Sequence, residues 1–169
     1  NGSLDCIVID GSSVTNGIRE ISIRNMSING SSKTAGATVK VQYAYECIFQ
    51  NVNLEYCITG FDIGSGTNSI TINNAVIVPN LSGSLYGIYW HCPIDGSTRS
   101  DVLTLDNVVV DGQWSNATCL LWSGFCNTMV ASHLRLLHAS YGLRVINPAP
   151  SSGTYYPQFL NAFDLECEG

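Results

Sequence analysis

Charge is what this sequence has least of. Asp, Glu, Lys and Arg make up 12% of the residues, against roughly a quarter in an average soluble chain. The seven basic residues are scattered, and the net charge of -6 leaves no Lys/Arg patch of the kind that phosphate backbones require. A nucleic-acid partner is therefore not expected. No run of 18 apolar residues and no basic segment leading into an apolar one occurs, so neither a membrane span nor a signal peptide is visible and membrane insertion is not expected. Among seven cysteines there is no CxxC pair, and metal-ligand spacing is missing elsewhere too. Neither a metal nor a cofactor is therefore expected.

What the chain does have is repetition. The phrase LTLDNVVVD (residues 103–111) can be laid over ISIRNMSIN (21–29), CIFQNVNLE (47–55), ITINNAVIV (70–78) and MVASHLRLL (129–137). Positions one, three, six and eight are apolar in all five copies. Alternation with period two marks a strand with one buried face. It skips a beat at the fifth position, which is Asn25, Asn51, Asn74, Asn107 and then His133. Asn tolerates left-handed backbone and bonds neighbouring groups through its amide, so each phase break reads as a bend between two short strands. The bends are 26, 23, 33 and 26 residues apart (25, 51, 74, 107, 133), a period typical of a solenoid. A sixth, partial copy fits residues 158–166 if Ala162 takes the bend, with Leu160, Phe163 and Leu165 facing inward.

A third strand opens near a Gly in each repeat: GATVKV (36–41), GFDIG (60–64), GIYWH (87–91), CLLWS (119–123, without the Gly) and GLRVIN (142–147). Strands alone, with no helix-period segment between them, predict an all-β fold: a right-handed, single-stranded parallel β-helix of about six turns and three strands per turn. It would occupy residues 1–169 as one domain. Neither end carries a polar cap against edge pairing, so the chain is expected to be an internal fragment of a longer polypeptide, or to have both ends covered by other domains.

Side chains able to do chemistry must stand on outward columns or in bends. Glu55 and Asp111 close the second strand of their copies in one column, two repeats apart, on the order of 9 to 10 Å from each other if strands stack at about 4.8 Å. That is the upper edge of the separation at which an acid and a base flank a water in inverting glycoside hydrolysis. Asp106, in the outward column before the bend, is the other candidate catalytic carboxylate. Val78 between Glu55 and Asp111 is a poor substrate contact, and solvated surface carboxylates are common.

Tyr56 in a short bend and Trp114 in a longer one beside Asp111 offer ring faces for the C–H groups of a sugar, with the acid to accept hydroxyl hydrogen bonds. Trp114 could equally fold over its own loop. The stretch HCPIDGSTRSD (91–101) holds His91, Asp95, Arg99 and Asp101, the densest ionisable cluster in the variable regions; His91, Asp95 and Arg99 join the candidate glycan contacts, against the plainer reading of ion pairing of Arg99 within the loop. Trp90 and Trp122, level with Val39, Ile63 and Val145, read as stacked core aromatics. Cys47 and Cys119 fall on inward columns as small hydrophobes, while a pair such as Cys119 with Cys126 would have to close a bend. Asn-x-Ser/Thr triplets at Asn1, Asn25, Asn29, Asn80 and Asn116 compare with roughly three expected from composition.

The phrases YECIFQNVNLEYCITGFDI, TNSITINNAVIV, CNTMVASHLRLLHASYGLRVIN and YYPQFLNAFDLECEG resemble the pectate-lyase-type right-handed β-helix of bacteriophage tail spikes and fibres, over nearly all of the chain. The resemblance implies a homotrimer of parallel coils on a virion, joined to other virion proteins and binding bacterial surface polysaccharide, sometimes cleaving it. The calcium-binding aspartates and catalytic Arg of pectate lyases have no recognisable counterparts here. Three function classes follow: a receptor-binding or structural segment of a phage appendage, a polysaccharide depolymerase (glycoside hydrolase or lyase), and a secreted glycan-binding adhesin repeat. The expected location is the virion, or the extracellular space for the adhesin.

Overall fold

The computed structural model describes residues 5–31, 34–79, 85–93, 98–146 and 159–168, without the side chains of Trp114, Ser115 and Phe159. Asp95 and the triplets at Asn1 and Asn80 lie outside the described residues, and of Trp114 only the backbone lies within them. The described residues are all-β, 75% strand and without a helix, with their parallel strands in a strongly curled sheet.

Among the described residues twelve strands follow in order: β1 (Ile7–Asp10), β2 (Ile18–Arg19), β3 (Ser22–Asn29), β4 (Ala37–Gln42), β5 (Ala44–Tyr45), β6 (Ile48–Glu55), β7 (Thr59–Ile63), β8 (Ile70–Val78), β9 (Tyr86–His91), β10 (Ser100–Ser123), β11 (Cys126–Ile146) and β12 (Phe159–Glu168). Two runs of parallel neighbours make up the main sheet, β3–β6–β8 and β1–β4–β7–β9, and both arrive at β10. The long strands β10 and β11 join them, because the first half of β10 pairs with β8 and its second half with β9. Strand β11 lies alongside β10 through both halves, and β12 follows β11.

The apolar columns of the sequence coincide with the register. Ile23 pairs with Phe49, Phe49 with Ile72, Ile72 with Leu105 and Leu105 with Ala131. Met26, Val52, Ala75, Val108 and Leu134 make a second such line, and Ile28, Leu54, Ile77, Val110 and Leu136 a third. Phe49, Ile72, Leu105, Leu54, Ile77 and Val110 are fully buried, and each large side chain removed from water in this way contributes about 1.5–3 kcal/mol.

The phase break works as the sequence implies. Asn25, Asn51, Asn74, Asn107 and His133 all have φ between 50° and 55°, and one left-handed residue carries the inward face from the third position to the sixth. The Asn side chains also bond one another down the column: Asn51 donates to Asn25 at 2.8 Å, Asn74 to Asn51 at 2.6 Å and Asn107 to Asn74 at 2.9 Å.

The sixth copy is set differently from the sequence expectation. Asp164, not Ala162, takes the left-handed bend (φ 56°), because Ala162 pairs with Ala131 and Phe163 with Ser132. Phe163 therefore lies in an outward column, 71% exposed. Leu160 and Leu165 do continue inward columns, opposite Met129 and Leu134.

In the third-strand region Gly60 and Gly87 are required by close approach. A Cβ on Gly87 would meet Val110 Cγ1 at 2.1 Å and the Cys119 carbonyl at 2.5 Å, and one on Gly60 would meet Ile77 Cγ2 and the Gly87 carbonyl, each at 2.5 Å. Trp90 and Trp122 pair in register and stack at 5.2 Å inside the core. Their line runs through Ile63 to Val41, while Val39 pairs with Phe61 one step away, which corrects the placement of Val39 beside them.

Candidate functional site

The outward carboxylates each have local partners. Asp106 accepts hydrogen bonds from Asn73 Nδ2 and from Ser132 Oγ, both at 2.7 Å, and His133 Nδ1 lies 3.6 Å away. The Ser132 hydroxyl is the chief reason that its carboxyl titrates below the ordinary aspartate value, with His133 and Asn73 adding to it. A carboxylate held anionic by three neighbours is an acceptor for a ligand hydroxyl rather than a proton donor.

Glu55 accepts from Asn53 Nδ2 at 2.9 Å and stands between Asn29 and Val78 in its column. Asp111 pairs with Leu137 in the β10–β11 ladder, takes the backbone N–H of Gln113 at 2.9 Å and lies 3.1 Å from His138 Nδ1. Glu55 is bonded within its own turn, whereas Asp111 is met both by its own turn and by His138 of the next. Tyr56 is in a left-handed bend and 41% exposed.

The ionisable stretch after β9 divides. His91 turns to Asp62, a residue the sequence reading passed over: Nε2 lies 2.7 Å from Asp62 Oδ1. The ring of His91 stacks on Tyr89 at 4.1 Å, and Tyr89 stacks on Tyr86 at 5.2 Å. Arg99 pairs with Asp101 at 2.9 Å, the ion pair within the loop that the sequence allowed.

That ion pair forms one wall of a cleft of about 290 Å³, lined by Tyr43, Tyr45, Gly66, Thr67, Asn68, Thr98, Arg99 and Asp101. The volume is at the small end of the roughly 300–1,000 Å³ usual for ligand sites. Two tyrosine rings supply apolar faces, and Asn68, Arg99 and Asp101 supply donors and acceptors. The side chains are held by their neighbours. Asn68 Nδ2 and Asn127 Nδ2 donate to the two oxygens of Asp101 at 3.4 and 3.3 Å. The Arg19 guanidinium lies over the Tyr45 ring, 5.0 Å from its centre. Gly66, at φ 68°, lies so close to Tyr43 that a Cβ would be 2.6 Å from the ring. Thr67 leads inward: its hydroxyl is 2.8 Å from Ser100 Oγ and 3.0 Å from the Gly64 carbonyl, buried in both cases.

No family model, curated protein or solved structure matches this chain. Its chemistry is therefore read from the residues themselves. Among the described residues no group of three or more His, Cys, Asp or Glu side chains is placed to hold a metal ion.

Tyr43, Tyr45, Asn68 and Asp62 were not singled out in the sequence. A signal for part of the cleft was nonetheless present. Arg19, Tyr45, Asn68, Asp101 and Asn127 follow one another at 26, 23, 33 and 26 residues (19, 45, 68, 101, 127), the same intervals that separate the bends. Strands β2 and β5 place Arg19 opposite Tyr45, and a bridge places Tyr45 opposite Asn68.

Proposed function

We propose that the curled sheet is a stretch of right-handed parallel β-helix, with three strands to each of about six turns, and that it serves in a virion appendage as a homotrimer that binds bacterial surface polysaccharide. The observation that carries the binding role is the cleft: two tyrosine rings with Asn68, Arg99 and Asp101 around a volume of about 290 Å³. A pyranose offers C–H faces to aromatic rings and hydroxyls to amide, guanidinium and carboxylate groups, so this lining suits a sugar. The coil is supported by the repeated parallel register, in which residues 23 to 33 apart become neighbours. The phage setting follows from the sequence resemblance alone, as do the trimer and the contacts with other virion proteins.

The test is titration of the purified protein with capsular and lipopolysaccharide fractions from a panel of bacteria, followed calorimetrically, with sedimentation to give the oligomeric state. Binding to at least one fraction is expected, with Tyr45→Ala and Arg99→Ala each lowering affinity about tenfold while the far-ultraviolet dichroism is unchanged. That factor corresponds to about 1.4 kcal/mol for a lost ring face or charged hydrogen bond. Absence of binding across the panel, or binding indifferent to both substitutions, would sink the assignment. Release of new reducing ends or unsaturated sugars, abolished by Glu55→Gln, Asp106→Asn or Asp111→Asn, would replace it with a depolymerase.

A further inference from the structure

Beneath the cleft two thiols converge. Cys92 follows β9 and Cys126 opens β11, and both approach the carbonyl oxygen of Ser123: the Cys92 N–H donates to it at 3.1 Å and the Cys126 thiol at 3.3 Å. Ser100 closes the triangle, since it pairs with Cys126 in the β10–β11 ladder while its Oγ is 3.1 Å from Cys92 Sγ. Gly124 holds the two segments together; a Cβ there would be 2.0 Å from the Cys92 carbonyl.

We propose that Cys92 and Cys126 form a reversible disulfide that ties two neighbouring passes of the chain together below the cleft. The inference stands apart from the sugar reading, since it needs only the two thiols and their surroundings.

The pair is chemically unequal in the way exchange requires. Cys92 is lowered to about 7, chiefly through the neighbouring Cys126 thiol, whereas burial pushes Cys126 up. Near neutral pH Cys92 is thus substantially thiolate, the attacking form. It also keeps 5% of its surface exposed where Cys126 keeps none, so Cys92 is the entry point. With a small-molecule disulfide as oxidant, the Cys92 thiolate attacks one sulfur and displaces one small thiolate, leaving a mixed disulfide. Cys126 gives its proton to the released thiolate and attacks the Cys92 sulfur, displacing the second small thiolate. One sulfur–sulfur bond breaks and one forms, the two protein thiols are oxidised, and two small thiols leave carrying the electrons.

Cys119 contrasts with this pair. It donates to the carbonyls of Val110 and Leu137 at 3.4 and 3.5 Å, and burial drives it to about 12. It faces another part of the core, and its imagined pairing with Cys126 is not supported by those contacts.

The experiment uses the folded, reduced chain exposed to oxidised glutathione, quenched with an alkylating reagent and digested without reductant for peptide mapping by mass spectrometry. A peptide pair joined through Cys92 and Cys126 is expected, with Cys47, Cys57 and Cys119 alkylated, a melting temperature raised by several degrees, and reversal by dithiothreitol. In Cys126→Ser, Cys92 should be recovered as the glutathione mixed disulfide. Recovery of both Cys92 and Cys126 as alkylated peptides from the wild type, or their linkage to other cysteines, would overturn the proposal whether or not the variant folds.

Discussion

The side-chain amide of Asn74 donates to the side-chain carbonyl of Asn51 at 2.6 Å, and both residues hold left-handed backbone, at φ 50° and 55°. Conformation and hydrogen bond support each other: the left-handed residue interrupts the strand, and the ladder of amides bridges neighbouring copies at that interruption.

Asn74→Ala loses both effects and is expected to destabilise by about 1–3 kcal/mol, the left-handed penalty plus a net hydrogen bond. Asn74→Gly restores the backbone freedom but not the amide, and should recover roughly half. Urea unfolding midpoints check the order wild type, Gly, Ala; an Ala variant as stable as the wild type would show that the ladder is ornamental.

Gly87→Ala places a methyl where Val110 and the Cys119 carbonyl already stand. The backbone must move, and a loss of about 1–3 kcal/mol or more is expected from overpacking. Thermal unfolding measures it, and pairing with Val110→Ala should return part of the loss because one of the two obstructing groups becomes smaller.

Trp90 and Trp122 are both buried and stacked, but the indole N–H of Trp122 has no hydrogen-bond partner among the described residues. Trp122→Phe removes that unsatisfied donor along with some ring volume, so it should cost less than Trp90→Ala, for which about 3–5 kcal/mol is expected. Chemical denaturation of the two variants side by side gives the ranking.

Asp106 titrates below the ordinary value of 3.8 in the folded chain, chiefly through Ser132. A depressed carboxyl contributes stability that is present above the unfolded value and lost as pH falls through the folded one. Wild type is therefore expected to lose more stability than Asp106→Ala on acidification below about pH 4. The effect is small because the side chain is 42% exposed. Melting temperatures measured across that range for both proteins should converge toward low pH.

How much was legible before the fold was known differs between columns. The five bends could be read because a single Asn or His breaks a period-two pattern at the same point in each copy. The sixth could not, because Phe163 is as apolar as a core residue while standing in an outward column, 71% exposed. Among the site residues, Asp106 and the Arg99–Asp101 pair were visible. Asp62, which holds His91, and the two tyrosines of the cleft lie a repeat or more away in sequence from the groups they meet.

Alternation and its interruptions determined, from the sequence alone, that the chain is all-β and which apolar residues align, because the preference of a side chain for one face is local and repeats. Tertiary structure alone decided which polar groups meet outside the repeated columns. Loop lengths differ from copy to copy, so the offset that brings Asp62 to His91, or Cys92 to Cys126, is set by how neighbouring strands register in space, and no local rule encodes it.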